Sequence, residues 1–254
     1  MPTTQGQWLS YRREVPHARL RLFCFPFGGG GASIFASWPQ GMPAGIEVCP
    51  VQPPGRENRL REAPVTHMPQ LVTLLVEALV PLLDRPFALF GHSIGALMAF
   101  ELARQLRRQG LRSPEWLFCS GHPSPDLPRR RPAISQLARP EFIKALREYF
   151  DLDSALLARE DLMDLVFPAL RADYELVETY VYHEEPPFAC PLSVFGGSHD
   201  PETTEDELMG WRRHTTGPFR TQVLEGKHMF IQTSREALIG EIFQDIARVP
   251  ALRS

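Results

Sequence analysis

The sequence is poor in the features that mark secreted, membrane-spanning and metal-binding proteins. Its four cysteines are widely spaced and form neither a CxxC pair nor a metal-ligand pattern; they are Cys24, Cys49, Cys119 and Cys190. No apolar run approaches the roughly 20 residues needed to span a bilayer. The polar segment 1–10 lacks the apolar stretch of a secretory signal. These absences predict a cytoplasmic protein with buried thiols and no metal.

The sequence also lacks a large excess of positive or of negative charge. The formal net charge is -3, with 27 basic and 30 acidic residues, which gives no reason to expect a nucleic acid or a membrane surface as partner. The content of 43% hydrophobic and 22% charged residues is that of an ordinary globular protein. We therefore expect a single domain over residues 1–254, and nothing in the sequence indicates an obligate oligomer.

Short apolar runs alternate with helical patterns along most of the chain. Strands are predicted at 19–25, 46–51, 87–90, 116–120, 192–195 and 221–224. Helices are predicted at 68–83, at 96–109 and near the C-terminus, the last capped by Thr233 or Ser234. This alternation is typical of an α/β fold with a mostly parallel sheet covered on both faces.

One segment breaks the alternation. From about 134 to 185 the pattern is helical without a convincing strand, with helices predicted at 135–150, 160–166 and 168–182, the last placing Pro168 in its first turn. A helical insertion between two strands is a candidate lid over a site; a cover without a moving part is the alternative. The preceding run 129–132 (RRRP) is interpreted as a solvated linker, with a phosphate or carrier-protein contact as the alternative.

The most informative motif is G-x-S-x-G at 91–95, with Ser93 at its centre. A predicted strand precedes it and a predicted helix follows it. A serine at such a sharp turn projects its hydroxyl out of the fold, and flanking glycines avoid collisions with the neighbouring elements. The motif therefore indicates an exposed nucleophile.

A serine hydroxyl needs a base, and the base needs an acid to orient it. In sheet-based hydrolases the acid and then the histidine follow the serine, at the ends of later strands. Asp200 follows the strand at 192–195 and is the favoured acid, with Asp126 as the runner-up. His228 follows Asp200 and the strand at 221–224, which makes it the favoured base.

Three other histidines lie near these positions. His92 adjoins the nucleophile but points elsewhere on the turn, so we expect a packing role. His199 is expected to shape the acid loop, and His122 to lie at the pocket rim or to be structural.

Acyl transfer also requires donors for an oxyanion. The backbone N–H of Ile94 is one candidate, and the loop 27–29 supplies the other, from Gly28 or alternatively Phe27. A phosphate-binding loop is the competing interpretation of the run 28–31. That run lacks both G-x-x-x-x-G-K-[ST] and the full G-x-G-x-x-G pattern.

Six segments together resemble the stand-alone type II thioesterases of polyketide and nonribosomal peptide biosynthesis, over nearly the whole chain. They are CFPFGGG at 24–30, PPGRENR at 53–59, GHSIGA at 91–96, LRADY at 170–174, GGSHDP at 196–201 and GKHMF at 226–230. The chain departs from the family pattern at Gly28, Ile94 and Lys227, where alanine, methionine and glycine are usual. Since Gly28 and Ile94 would act through the backbone, the oxyanion hole is expected to survive.

The resemblance implies an α/β-hydrolase fold with a helical lid and no cofactor. It also implies hydrolysis of acyl thioesters on the phosphopantetheine arm of acyl or peptidyl carrier domains, with Ser93, Asp200 and His228 as nucleophile, acid and base. An esterase or lipase acting on free esters is the alternative within catalysis. A non-catalytic binding module is a third possibility, against which an intact triad argues.

Overall fold

The computed structural model describes residues 4–149 and 159–249. Within these ranges six strands form one sheet in the order β2-β1-β3-β4-β5-β6, and every neighbouring pair is parallel. The strands are β1 (Leu20–Phe25), β2 (Ile46–Pro50), β3 (Phe87–His92), β4 (Trp116–Ser120), β5 (Leu192–Gly197) and β6 (Phe219–Leu224). All six strands therefore end at the same edge of the sheet.

Helices connect the strands and cover the sheet. They are α1 (Thr4–Trp8), α2 (Met68–Leu79), α3 (Ile94–Arg108), α4 (Arg139–Tyr149), α5 (Glu160–Glu178), α6 (Glu205–Met209), α7 (Phe230–Thr233) and α8 (Arg235–Ile246). Short 3₁₀ turns fill several connections. Among the described residues, no helix is both long and apolar enough to cross a membrane.

Successive strand residues belong to two different hydrophobic clusters, as the alternation of side chains along a strand requires. Phe23, Leu89 and Val194 pack with α2 and α3 on one face. The intervening positions, such as Phe90 and Phe195, pack with α8 on the other face. Burial on both faces explains why β3 and β4 read as nearly continuous apolar runs, whereas β6, at the edge of the sheet, is only partly buried. The predicted α/β class with a parallel sheet is confirmed.

The described part of the segment between β4 and β5 contains helices, as the sequence predicts, but their bounds differ from the predicted ones. A single helix, α5, runs through Pro168 without a break. A proline inside a helix removes one hydrogen bond and costs about 3 kcal/mol. Met163 and Leu170, seven residues apart on one face, are both buried, and their burial on either side of the proline keeps the helix continuous. The prediction of a separate helix at 168–182 is therefore wrong.

The preceding helix is shorter than predicted. The N–H groups of Ile134 and Ser135 donate to the Glu178 carboxylate, at 2.6 Å and 3.1 Å, and so stay outside the helix, which begins at Arg139. Residue 150, its predicted end, lies outside the described residues. At the C-terminal helix, Ser234 holds the cap position, but its hydroxyl donates to the Glu225 carbonyl instead of capping.

Leu176, near the end of α5, packs in the sheet cluster with α2 and α3, whereas α4 and the first part of α5 share a hydrophobic cluster of their own. Its buried members are Ile134, Phe142, Ala145, Leu146, Met163 and Leu170. We refer to the described residues of this segment, 134–149 and 159–185, as the insertion.

Replacing Phe142 by alanine is expected to destabilise the insertion without unfolding the sheet. Phe142 is fully buried in the separate cluster, and truncation of a buried phenylalanine costs about 3–5 kcal/mol. Hydrogen exchange should accelerate in the described part of the insertion and stay unchanged in β1, β3 and β4. Phe118→Ala, in the core of the sheet, is the control and should accelerate exchange globally. Uniform acceleration in Phe142→Ala would contradict the separation of the two cores.

Candidate active site

The functional candidates come together at the carboxyl edge of the sheet. Gly28 follows β1, Ser93 follows β3, Asp200 follows β5 and His228 follows β6. Because neighbouring parallel strands end side by side, residues far apart in sequence become neighbours here. The same edge carries the loop after β4, residues 121–132.

Ser93 occupies a strained turn between β3 and α3. Its backbone has φ 55° and ψ -126°, a combination that L residues rarely adopt and that costs on the order of 1–3 kcal/mol. The turn is held by two hydrogen bonds: the Ser93 N–H donates to the Ser120 carbonyl at 2.7 Å, and the Ser93 carbonyl accepts from Ala96 at 2.8 Å. This is the geometry that the motif at 91–95 predicts.

The two flanking glycines are required by close backbone approach. A Cβ at Gly91 would lie 1.9 Å from the carbonyl oxygen of Gly95, and a Cβ at Gly95 would lie 2.3 Å from the carbonyl oxygen of Phe25. Any side chain at either position would push α3 away from the strands. The glycines therefore allow the turn that exposes Ser93.

Asp200 and His228 form a hydrogen-bonded pair. Nδ1 of His228 lies 2.9 Å from Oδ2 of Asp200. Since an ionised carboxylate only accepts, Nδ1 carries the proton and Nε2 is the basic nitrogen that faces away from Asp200. The Glu202 carboxylate lies 3.6 Å from Nε2. The pair thus fixes one tautomer of the imidazole.

The Asp200 carboxylate is fully buried but well supplied with donors. It accepts from the N–H of Glu202 at 2.7 Å and from the hydroxyl of Thr203 at 2.9 Å. Burial raises the pKa of Asp200, but the hydrogen bond and charge of His228 together with these donors outweigh it and hold the pKa below its ordinary value. Asp200 is therefore ionised at neutral pH.

Backbone hydrogen bonds join the loops that carry this pair. The N–H of Ser198 donates to the Leu224 carbonyl, and the N–H of His199 donates to the Gly226 carbonyl. These bonds extend the pairing of β5 and β6 beyond the strands. His199 thus acts through its backbone, while its ring is exposed beside Glu225.

Asp126, the alternative acid, pairs with a different histidine, His214. Its carboxylate contacts the ring of His214 at 3.1 Å, the hydroxyl of Ser124 and the guanidinium of Arg213. Ser124 and Asp126 both contact Nε2 of His214, which is not the arrangement of a relay. Asp126 thus contacts groups of its own loop and of the segment 213–214, and Asp200 is the carboxylate that pairs with His228.

His92 has a more specific role than the packing that the sequence predicts. Its Nε2 lies 2.9 Å from the His228 carbonyl and its Nδ1 lies 2.8 Å from the Ser120 hydroxyl. The carbonyl can only accept, so Nε2 carries the proton and the hydroxyl donates to Nδ1. Burial and the neighbouring His228 lower the pKa of His92 to about 3, which keeps the ring neutral. His92 therefore anchors the backbone of His228.

The loop after β1 forms a tight turn against the same site. The Gly30 N–H donates to the Phe27 carbonyl at 2.9 Å, and Gly29 has φ +73°, which favours glycine. The N–H of Gly29 donates to the Asp173 carboxylate, which removes Gly29 as a donor for a ligand. The N–H of Ile94 begins α3 and has no carbonyl partner within its own helix.

Ser93, His228, Phe27, Gly28 and Ile94 all line one cavity of about 540 Å³. The rest of its wall comes from the loop after β4, including His122 and the segment 129–131, and from the insertion between Tyr174 and Tyr182. The volume is within the range of small-molecule sites. His122 lies in this wall, as expected, and burial lowers its pKa to about 4.

The arginine segment 129–131 is more than a solvated linker. Arg130 forms an ion pair with Glu207 at 2.8 Å, and Arg131 donates to the Pro201 carbonyl. Both contacts are to the chain around α6, next to the acid loop. The segment is thus tied to the cavity wall, where the carboxylates of Asp126, Glu178, Glu202 and Glu207 accompany its arginines.

The cysteines and acidic groups show no sign of metal binding in the described ranges. Cys24, Cys49 and Cys119 are buried, and Cys190 is partly buried. Burial raises the pKa of Cys49 and of Cys190 to about 12, so neither is a thiolate at neutral pH. Within residues 4–149 and 159–249, no group of three or more His, Cys, Asp or Glu side chains could hold a metal ion.

His92 predicts a pH dependence of stability. Its folded pKa lies below the unfolded value of about 6.5, so as the pH falls through that value the unfolded chain binds a proton that the native chain does not. The free energy of unfolding is therefore expected to fall by up to about 1.4 kcal/mol for each pH unit below 6.5. His92→Gln should be less stable at pH 8 but lose less stability between pH 7 and 5, measured by denaturant unfolding. His199→Gln, at an exposed ring, is the control; equal slopes in both variants would contradict the role of His92.

Comparisons with known proteins agree with this geometry. The family model for the thioesterase domain matches residues 20–246. The chain is 41% identical to the linear gramicidin dehydrogenase LgrE of Brevibacillus parabrevis, over 93% of this chain and 91% of that one. It is 40% identical to the gramicidin S biosynthesis protein GrsT of Aneurinibacillus migulanus, over 92% of this chain and 91% of that one.

The fold is also similar to that of a solved thioesterase structure. RedJ, a thioesterase from the prodiginine biosynthetic pathway in Streptomyces coelicolor, superposes with a TM-score of 0.85 at 38% identity, covering 92% of this chain and 89% of that one. The family match spans all six strands and the positions of Ser93, Asp200 and His228. The chain belongs to the thioesterase family and is a thioester hydrolase with an α/β-hydrolase fold.

Proposed function

We propose that this chain hydrolyses acyl thioesters carried on the phosphopantetheine arm of carrier domains, and so clears acyl groups from a nonribosomal peptide or polyketide synthase. The support for the pathway comes from its relatives, which include a gramicidin S biosynthesis protein, the thioesterase PikA5 and the prodiginine-pathway thioesterase RedJ. The support for the chemistry comes from the site.

One observation carries the proposal: a strained serine and an aspartate-supported histidine line the same cavity. Ser93 is the nucleophile, His228 the general base and Asp200 the residue that orients the base. The Asp200 bond to Nδ1 leaves Nε2 as the proton acceptor, which is the tautomer that a serine nucleophile requires. All three are side chains, and the reaction requires no cofactor.

In the first half-reaction, the Ser93 hydroxyl attacks the thioester carbonyl carbon while Nε2 of His228 takes its proton. The oxyanion accepts hydrogen bonds from the N–H groups of Ile94 and Gly28, with Phe27 as the alternative to Gly28. The tetrahedral intermediate then collapses. The C–S bond breaks, His228 returns the proton to the sulfur, and the carrier leaves as its free thiol.

In the second half-reaction, water attacks the acyl-Ser93 ester. His228 removes a proton from the water and returns it to Ser93 as the C–O bond breaks, which releases a carboxylic acid. Asp200 supports the transient charge on the imidazole in both halves. Its buried carboxylate is held by Glu202 and Thr203, so it need not reorganise during the reaction.

The cavity suits an acyl group delivered on a flexible arm. Apolar side chains of Leu97, Val181 and Met229 line it together with the catalytic groups, and the arginine segment 129–131 lies in the same wall. Residues of the insertion between Tyr174 and Tyr182 line the cavity, and we assign the insertion the role of a lid. All these residues come from one chain, so a monomer suffices.

A dinucleotide-dependent reaction, which the name of one relative suggests, fits the glycine run poorly. The segment 28–31 does not continue into the G-x-G-x-x-G pattern. The buried carboxylate of Asp173 also occupies the Gly29 N–H, and a negative charge at that position would repel a pyrophosphate.

Replacing Ser93 by alanine is expected to lower turnover of an acyl-carrier thioester by roughly 10³–10⁶-fold, because no other group can form the acyl intermediate. The measurement is release of free carrier thiol, with covalent labelling by a serine-directed phosphonate as a second readout. Ser124→Ala, at the other serine of the wall with histidine and aspartate neighbours, should keep turnover within the same order of magnitude. Unchanged turnover in Ser93→Ala, or loss in Ser124→Ala alone, would refute the assignment.

The wild-type protein should hydrolyse acyl-loaded carrier domains with a higher kcat/KM than the corresponding oxygen esters. A thiol leaves more readily than an alcohol because its pKa is lower, and the carrier adds contacts that a free ester lacks. Both substrates should carry the same acyl chain. A preference for free oxygen esters would favour an esterase instead, and labelling of Ser93 without any hydrolysis would favour a binding module.

A further inference from the structure

Two sequence segments that carry the family resemblance, PPGRENR and LRADY, contribute one buried ion pair. Nη1 of Arg56 lies 2.7 Å from Oδ2 of Asp173, and Nη2 lies 2.9 Å from Oδ1. This is a bidentate contact, with side-chain exposures of 6% and 2%. Arg56 follows β2, whereas Asp173 belongs to α5 of the insertion. The pair thus joins the insertion to the body of the protein.

Both partners also hold the glycine loop that carries the proposed oxyanion donor. The Asp173 carboxylate accepts from the Gly29 N–H at 2.7 Å, and Nη1 of Arg56 donates to the Gly30 carbonyl at 3.1 Å. These contacts lie on the two residues directly after Gly28. The ion pair therefore holds the glycine loop through one backbone N–H group and one backbone carbonyl of the loop.

The loop needs such an anchor because glycine loses more conformational freedom on folding than any other residue. Four consecutive glycines at 28–31 would otherwise leave the Gly28 N–H free to point in several directions. Further contacts restrain the far end of the run: the Ala32 N–H donates to the Gln52 side chain at 2.7 Å, and Gln52 donates to the Arg56 carbonyl. Gln52 and Arg56, four residues apart, thus hold the glycine loop at both ends.

Arg56 and Asp173 do not themselves line the cavity that contains Ser93 and His228, and each satisfies the charge of the other. They are thus poorly placed to bind a substrate group. A buried ion pair is also weak evidence of a purely stabilising role, because an apolar pair of similar volume is often as stable.

We infer that Arg56 and Asp173 are positioning residues: they fix the glycine loop so that the Gly28 N–H meets the oxyanion formed at the Ser93 site, and they make that geometry depend on α5 of the insertion. This inference rests on the proposed acyl-transfer function. Its consequence is that loss of the pair weakens transition-state stabilisation more than substrate binding. A displacement of about 1 Å at such a donor can cost about 10²-fold in rate.

The test compares variants of this pair with variants of a matched pair far from the site. Asp173→Asn and Arg56→Lys disturb the anchor conservatively. The double variant Arg56→Met/Asp173→Leu replaces it by an apolar pair that leaves no buried charge unpaired. The control is the pair of Arg21 and Glu47, whose side chains are 6% and 1% exposed and lie at the amino ends of β1 and β2. Glu47→Gln and Arg21→Lys are the corresponding variants.

Three quantities are measured: the thermal midpoint, kcat and KM for an acyl-N-acetylcysteamine thioester, and inhibition by a trifluoromethyl ketone whose serine adduct carries an oxyanion. For the site variants we expect kcat to fall roughly 10–10²-fold with KM little changed, and the inhibition constant to rise in parallel. The double variant should recover the thermal midpoint but not kcat. The control variants should lose thermal stability without a parallel change in kcat and inhibition.

A double variant that folds and keeps both wild-type kcat and wild-type inhibition would overturn the inference, even where the single variants fail to fold. The same conclusion follows if site and control variants lose kcat only in proportion to stability. Because the small thioester needs no carrier, failure of the wild-type protein to hydrolyse it or to bind the ketone would instead count against the proposed function.

Discussion

The common direction of the six strands is the constraint on which the rest of the structure depends. Because β1, β3, β5 and β6 all end at one edge, the loops after them meet in space although they are separated by up to two hundred residues in sequence. A nucleophile, an acid, a base and a backbone donor can then be supplied by four different connections. The interior of the sheet is mostly apolar, and the buried pair of Arg21 and Glu47 lies at its opposite edge, so the candidate chemistry is confined to the carboxyl edge.

Rigidity at that edge comes from polar contacts between loops, each of which satisfies a buried group. His92 anchors the carbonyl of His228, and Thr203 and Glu202 hold the carboxylate of Asp200. Buried polar groups are costly when left unpaired, so these contacts select one arrangement of the loops. The strain at Ser93 persists because the glycines at 91 and 95 and the surrounding backbone leave it no alternative.

The insertion is joined to the site by charge as well as by shape. The α4 helix and the first part of α5 share a separate hydrophobic cluster, whereas Leu176 of α5 packs in the cluster on the sheet. The Asp173 carboxylate reaches from α5 to Arg56 and Gly29, and Glu178 holds the N–H groups of Ile134 and Ser135. The insertion, which lines the cavity, is therefore tied to the glycine loop beside Ser93.

By itself, the sequence determined the α/β class, the order of the strands along the chain and the candidates Ser93, Asp200 and His228, because hydrophobic periodicity and G-x-S-x-G are local signals. It misplaced the helix boundaries around Pro168, where burial of Met163 and Leu170 outweighs a local preference. Only the tertiary structure decided that Asp200 and not Asp126 pairs with His228, that His92 holds the loop of His228, and that Arg56 contacts Asp173. These are contacts between residues 28 to 136 positions apart, and a long-range contact leaves no local pattern from which it could be predicted.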